Sequence, residues 1–345
     1  MKEIILRTAL GNSSILVGEG LTTLLDSLPA DPILMVDEHV LQLHAEKFQA
    51  FRSIPVPRGE KHKTLQTAEN LYRALVGMNA DRSSVIVGVG GGLTTDLAGF
   101  VASTYMRGIR FGFIPTTLLA QVDAGIGGKN GVNLDGYKNM VGTINQPEFV
   151  WCDHSLLRSL DMKEYRSGIA EIIKYGVIRD PDLLGLVDKN MEALLNQEPS
   201  NLERVISECV QIKASIVMKD EKESGERRLL NFGHTIGHAV ERHAQLLHGE
   251  SISIGMMVAA EFSHRKGMIS GKEKRQLKQI LEKAGLPTLF DLDAGTIYDT
   301  VTKDKKKDGT ALHFVFLTGL GEAVTGGLPL DELKSMLYDL REHSQ

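Results

Sequence analysis

Two histidines four residues apart, His234 and His238, lie in the run Asn231-Phe232-Gly233-His234-Thr235-Ile236-Gly237-His238, and a third, His248, heads His248-Gly249-Glu250. On a helix the first two point about 40° apart around the axis, so their rings can converge on one place. Neutral imidazole is a good ligand for zinc and related metals, and an open catalytic site typically has three protein ligands, often one of them a carboxylate. The pair lacks the intervening glutamate of the HExxH motif, and without it such spacing more often means a surface pair or a satisfied core pair. Spacing therefore leaves open which histidines bind metal and which move protons. Gly233, Gly237 and Gly249 tilt the balance, because glycine inside a helical pattern costs stability unless something must approach closely.

Other residue types suit an anionic ligand. Val87-Gly88-Val89-Gly90-Gly91-Gly92 joins a strand pattern to a helix pattern that runs from Thr94 through Ala102 and contains Asp96. Glycines there let backbone NH groups and a helix amino terminus approach a phosphate, although GxGxxG is not met and a plain tight turn reads as well. Asp37 ends an apolar run and could accept from ribose hydroxyls or simply start a turn. Thr116-Thr117, Asp123 and the glycines before Lys129 could cradle an anion, though GxxxxGK[ST] is absent. Lys138-Asn139 adds a cation further on. Glu171 and Lys174 stand at i, i+3 among Ile169, Ile172, Ile173 and Tyr175, a partly buried setting in which a bare charge needs a metal or an anion. Lys213, Glu223 and Arg227 precede the histidine run. The charged stretches around Glu60-Lys61-His62-Lys63 and Lys303 to Asp308 read by default as solvated faces.

The elements that must position these groups change character along the chain. Short apolar runs at Pro32–Val36, Ser84–Val89 and Arg110–Pro115 alternate with amphipathic segments, as in an α/β layer with parallel strands. From a capping pattern at Asp161 to Glu164 onward the chain reads as helical, through 182–196, 200–220, 229–245, 250–267 and 271–284. One strand is expected at Leu312–Leu317, followed by a glycine-rich turn region from Gly319 to Gly327. The boundary falls near residue 160, giving an α/β domain over 1–160 and a mostly helical one over 161–345. A chain of 345 residues can bury two cores, and 42% hydrophobic with 24% charged residues is the composition of a soluble globular protein. A net charge of −5 argues against general nucleic-acid binding and leaves any anion to a local basic pocket. Cys152 and Cys209 show no CxxC spacing, the amino terminus does not read as a secretory signal, and no apolar run approaches the ~20 residues of a membrane span. A reducing cytoplasm is expected.

Taken together, GGGLTTDLAGFVAST at 90–104, YMRG at 105–108, PTTLLAQVDAGIGGK at 115–129, YKNMVG at 137–142, SGIAEIIKYG at 167–176, NFGHTIGHA at 231–239, HGE at 248–250 and DKK at 304–306 resemble the 3-dehydroquinate synthases, sugar phosphate cyclases of the shikimate pathway. The resemblance implies a Rossmann-like NAD-binding domain followed by a mostly helical domain that binds zinc or cobalt. It implies Glu171, His234 and His248 as metal ligands and His238 as a histidine that moves protons. NAD contacts are implied for Asp37, Glu60, Lys63, Gly91, Gly92, Asp96, Thr116, Thr117, Asp123, Lys129, Lys138 and Ser159. The implied substrate is 3-deoxy-D-arabino-heptulosonate 7-phosphate, a phosphorylated keto acid. Its contacts and the reacting groups are matched by Arg107, Asp123, Lys129, Asn139, Lys174, Lys213, Glu223, Arg227, Asn231 and one of Lys305 or Lys306.

The implied reaction is a transient oxidation by NAD, loss of phosphate, return of the hydride and an intramolecular aldol closure, with no net redox change. A homodimer is also implied, with neither nucleic acid nor membrane as partner. The chain departs from the family pattern at Asn130, where threonine is usual, at Gly125, and at Leu93-Thr94-Thr95. Two rival readings are a metal-dependent polyol or glycerol dehydrogenase and a sugar phosphate cyclase of secondary metabolism. The dehydrogenases begin their metal set with aspartate, whereas this chain offers Glu171 with Lys174 beside it.

Overall fold

The computed structural model describes all residues except 21–24, 26–27, 29–30, 136, 290, 304–310 and 343–345. The chain divides into two compact units, Met1–Leu160 with Leu202–Lys222, and Asp161–Asn201 with Glu223–Gln345.

The first unit is built on a seven-stranded sheet: β1 (Lys2–Thr8), β2 (Gly11–Val17), β3 (Ile33–Asp37), β4 (Arg52–Val56), β5 (Val85–Gly90), β6 (Arg110–Pro115) and β9 (Phe149–Cys152), in the order β1-β2-β9-β6-β5-β3-β4. All neighbours are parallel except β1 and β2, which form an antiparallel hairpin. Strands β3 and β5 are apolar and buried on both faces, as parallel strands covered on two sides must be. Leu34, Val36, Val87, Val89, Ile114 and Trp151 share one core face. From β3 the chain steps outward to β4, then returns past β3 to lay down β5, β6 and β9. The order therefore reverses between β3 and β5, and in open α/β sheets ligands bind outside the carboxyl ends of the strands at such a reversal. The expected α/β class is met, and Asp37 and Gly90-Gly91-Gly92 end the two strands at that place.

A separate hairpin, β7 (Lys129–Leu134) with β8 (Tyr137–Ile144), belongs to the same unit, so Lys129 opens a strand rather than sitting in a glycine loop. The expected division at residue 160 needs one correction. Most of the Pro199–Lys219 helix groups with the first unit, where Glu203 ion-pairs with the amino terminus and Lys213 with Asp123.

Among the described residues, the second unit is helical apart from the hairpin β10 (Ala311–Gly319) and β11 (Glu322–Pro329). The glycine-rich segment expected to be turn is thus mostly strand. Gly326 pairs with Phe314 and lies against the Phe316 ring, where a side chain would crowd it. Three helices matter most here, Met162–Arg179, His234–Ala244 and His248–Arg265. No helix among the described residues is long and apolar enough to cross a membrane.

Candidate active site

In the second unit, Glu171 projects from the middle of the Met162–Arg179 helix and is fully buried. His234 is the first residue of its helix, preceded by Gly233 at φ 78°, and His248 is the first residue of the next. Close approach of these helices depends on glycine. A Cβ on Gly249 would lie 2.3 Å from the Ser167 Cα, and the Gly249 amide donates to Ser167 Oγ at 3.1 Å. The glycines that looked costly in a helical pattern therefore sit where backbone meets backbone. Glu250 of the HGE run accepts from the Leu247 amide at 2.9 Å, so it caps the helix.

Oε1 of Glu171 stands 3.5 Å from Nε2 of His234 and 3.4 Å from Nε2 of His248, and the ligand atoms of the three all lie within 4.8 Å of one another. Two ligands bonded to one tetrahedral zinc at about 2.0–2.1 Å are separated by roughly 3.4 Å, so both gaps match donors that share an ion. Nδ1 of His234 meets the Phe232 carbonyl at 3.1 Å. The tautomer with a proton on Nδ1 donates this bond and leaves the Nε2 lone pair facing Glu171. Burial, followed by the charge of Lys174, pushes the His234 pKa down to about 3, which keeps the ring neutral. For His248 burial opposes charge, but the neighbouring carboxylates of Glu171 and Glu241 outweigh it and raise the pKa to about 9. Two histidine nitrogens and one carboxylate oxygen are a donor set that fits zinc or cobalt.

Further candidate groups belong to the second unit. Lys174 is buried and ion-pairs with Glu171, with its ammonium 5.1 Å from the Tyr175 ring centroid. The His238 ring lies 5.3 Å from that of His234 and 6.1 Å from that of His248, and it is exposed. Arg227 is buried in the Glu226–Asn231 turn, and the Asn231 amide donates to Glu223, a residue held at φ 60°. Reading the sequence did not single out Glu241, whose Oε2 is 3.7 Å from Nδ1 of His248. Its signal was its place three residues after His238 on the same helix face.

In the first unit, Asp37 caps the Glu38–Leu43 helix by accepting from the amides of His39 and Val40, and its other oxygen is 3.9 Å from Arg58. Gly91 caps the helix that Gly92 begins, and the close packing there is against Thr117 and Ala124. Thr116 donates its amide to the Gly90 carbonyl, and Thr117 starts the turn that carries Asp123. Lys63 is buried and bonds both Asp96 and Oδ1 of Asn139, the latter at 2.6 Å. Burial raises the Asp96 pKa from its usual value, with Lys63 opposing. Glu60 accepts from Asn133 at 2.8 Å, which ties this loop to the β7–β8 hairpin. Lys213 donates to both the side chain and the carbonyl of Asp123.

Lys129 and Lys138 lie exposed on the hairpin, Arg107 lies exposed at φ 70°, and Ser159 bonds the Leu156 carbonyl. Lys305 and Lys306 lie outside the described residues. The Asn130 amide is committed to the carbonyls of Gly128 and Asn145 at 2.9 and 3.0 Å, and Gly99 leaves room for its oxygen. This departure from the family pattern therefore organises the loop.

A sheet of nucleotide-binding topology followed by helices carrying a two-histidine, one-glutamate set defines a metal-assisted, nucleotide-dependent class of enzyme. The family described as 3-dehydroquinate synthase N-terminal matches residues 53–167, and that described as 3-dehydroquinate synthase C-terminal matches residues 168–307. A 3-dehydroquinate synthase of Halorhodospira halophila is 40% identical over 325 residues, covering 91% of this chain and 92% of that protein. The chain belongs to the 3-dehydroquinate synthase family. Among solved structures it is similar to the 2-epi-5-epi-valiolone synthase of Streptomyces hygroscopicus subsp. jinggangensis, which has NAD+ and Zn2+ bound. There the TM-score is 0.88 at 27% identity, over 95% of this chain and 96% of that one. A 2-deoxy-scyllo-inosose synthase complexed with carbaglucose-6-phosphate, NAD+ and Co2+ gives 0.88 at 27% identity, over 98% and 100%.

Proposed function

We propose that the protein converts 3-deoxy-D-arabino-heptulosonate 7-phosphate to 3-dehydroquinate and phosphate, acting as a carbon–oxygen lyase. The observation that carries this reading is the buried Glu171 with both imidazole Nε2 atoms at 3.4–3.5 Å and Lys174 paired beside it. Glu171, His234 and His248 hold the zinc or cobalt ion in this reading, and Asp37, Gly91, Gly92, Thr116, Thr117 and the Lys63–Asp96 pair hold NAD. Glu60, Lys129, Lys138 and Ser159 complete the cofactor contacts. When bound, the metal polarises the reacting hydroxyl and NAD takes up and returns a hydride.

The chain's own residues do the rest. His238, exposed beside the metal ligands, moves protons at the substrate. Arg107, Asp123, Asn139, Lys174, Lys213, Arg227 and Asn231 bind the substrate's carboxylate, phosphate and hydroxyls. Glu223 orients Asn231 through the bond its carboxylate accepts. These cations supply a local positive field in a chain of net charge −5. Two buried free cysteines agree with a reducing cytoplasm, and a homodimer is the proposed assembly.

The dehydrogenase reading is separated by products, since both enzymes would bind NAD and metal. With catalytic NAD, inorganic phosphate is released continuously from the heptulosonate phosphate, and NADH never exceeds the enzyme concentration. Steady NADH production from glycerol without phosphate release overturns the proposal.

A further inference from the structure

A second donor set meets beside the first. His238 and Glu241, three residues apart on one helix, join His248 in a group whose ligand atoms all lie within 4.8 Å of one another. The His248 ring is common to both sets, with Nε2 turned to Oε1 of Glu171 at 3.4 Å and Nδ1 turned to Oε2 of Glu241 at 3.7 Å. The second separation is too long for a hydrogen bond and close to the roughly 3.4 Å between two ligands of one tetrahedral ion. The environments differ. Glu171 is fully buried, whereas His238 is exposed and Glu241 is half-buried.

We propose that His238, Glu241 and Nδ1 of His248 form a second, outer seat for a divalent transition-metal ion, filled when metal is in excess. Two imidazoles and one carboxylate select zinc, cobalt or copper over magnesium or calcium. With an ion already on Nε2, the outer ion takes the Nδ1 lone pair, so the Nδ1 proton leaves to solvent and the ring bridges two metals as an imidazolate. Loss of that proton makes the outer seat the weaker one. An outer ion also occupies His238, so excess metal inhibits turnover. That consequence rests on the function proposed above; the binding itself does not.

The test begins from protein holding one Zn2+ per chain. It is equilibrated with rising Co2+ while bound metal is counted and the visible absorption of cobalt is read. Wild type takes up a second, weaker equivalent and releases a proton as it does so. Glu241→Gln keeps the side-chain shape without the anionic oxygen, so it loses the second equivalent and keeps the first. His238→Asn, at an exposed position where misfolding is not an issue, does the same. Saturation of wild type at one equivalent overturns the proposal and leaves Glu241 as a residue that orients His248 through its Nδ1–H. Uptake of the second equivalent by both variants overturns it as well. Failure of the inner seat reads differently, as Glu171→Ala that still retains the first equivalent.

Discussion

Glu171 is wholly buried and faces one ammonium and two imidazoles. Removing it leaves Lys174 buried beside two rings and no carboxylate to complete the metal set. Glu171→Ala and His248→Ala are expected to lose bound metal and activity together, whereas His238→Ala keeps the inner metal and slows turnover by about 10²–10⁴-fold, the range for a lost general acid or base. Metal analysis of the purified variants checks this; a metal-free His238→Ala beside a metal-replete His248→Ala reverses the assignment. The pKa shifts supply a second expectation. With its pKa raised to about 9, His248 is protonated at pH 7 in the metal-free protein, and His234, pushed down to about 3, is already neutral. Filling the inner seat at pH 7 therefore releases about one proton, and apparent affinity falls roughly tenfold for each pH unit below 9. Calorimetry in two buffers of different ionisation enthalpy measures the proton count, and a count of zero contradicts the charged His248.

At the scale of elements, Ser167, Gly249 and Gly233 set how near the three helices come. Gly249→Ala would drive a methyl group to within 2.3 Å of the Ser167 Cα, a backbone atom that cannot swing aside. The start of the His248–Arg265 helix must then shift, with an expected loss of about 1–3 kcal/mol or more and weakened metal binding, read by thermal unfolding with and without metal. Unchanged metal affinity in a folded Gly249→Ala protein contradicts this account of the helix contact. These packing glycines were visible in the sequence because they interrupt a helical pattern. Strands β3, β5 and β6 were visible because burial on both faces makes them continuous apolar runs. Strand β4 was hidden by Pro55, which is tolerable at the sheet edge, and the β7–β8 hairpin was hidden by its glycines and exposed polar residues. The Pro199–Lys219 helix looked like its helical neighbours, since the apolar face of Val205, Cys209, Ile212 and Ile216 is equally suited to either unit. The candidate metal ligands were legible as residue types at helical spacing. The Phe232 carbonyl that fixes the His234 tautomer was not, because every residue carries one.

For the whole molecule, the consequence of two units is that their ligands should report separately. Of the proposed NAD contacts, Asp37, Gly91 and Gly92 lie at the carboxyl ends of β3 and β5 in the first unit, and the proposed metal ligands join three helices of the second. A ligand that binds only the folded state stabilises the element that holds it, by about 2.7 kcal/mol at a hundredfold excess over its dissociation constant. Local opening reports that stabilisation region by region. Chelating the metal is therefore expected to speed amide hydrogen exchange in 162–179 and 234–265 while leaving β3, β5 and β6 as protected as before. Adding NAD to the metal-free protein should slow exchange at 37–40 and 90–96, where the strand ends meet helix amino termini, and leave 234–265 unchanged. The two responses test the assignments independently of turnover. If chelation deprotects the strand ends as strongly as the histidine helices, the metal is not confined to Glu171, His234 and His248. If NAD protects the histidine helices and not the strand ends, the nucleotide does not bind at the reversal of strand order, and the cofactor contacts proposed for the first unit fall with it.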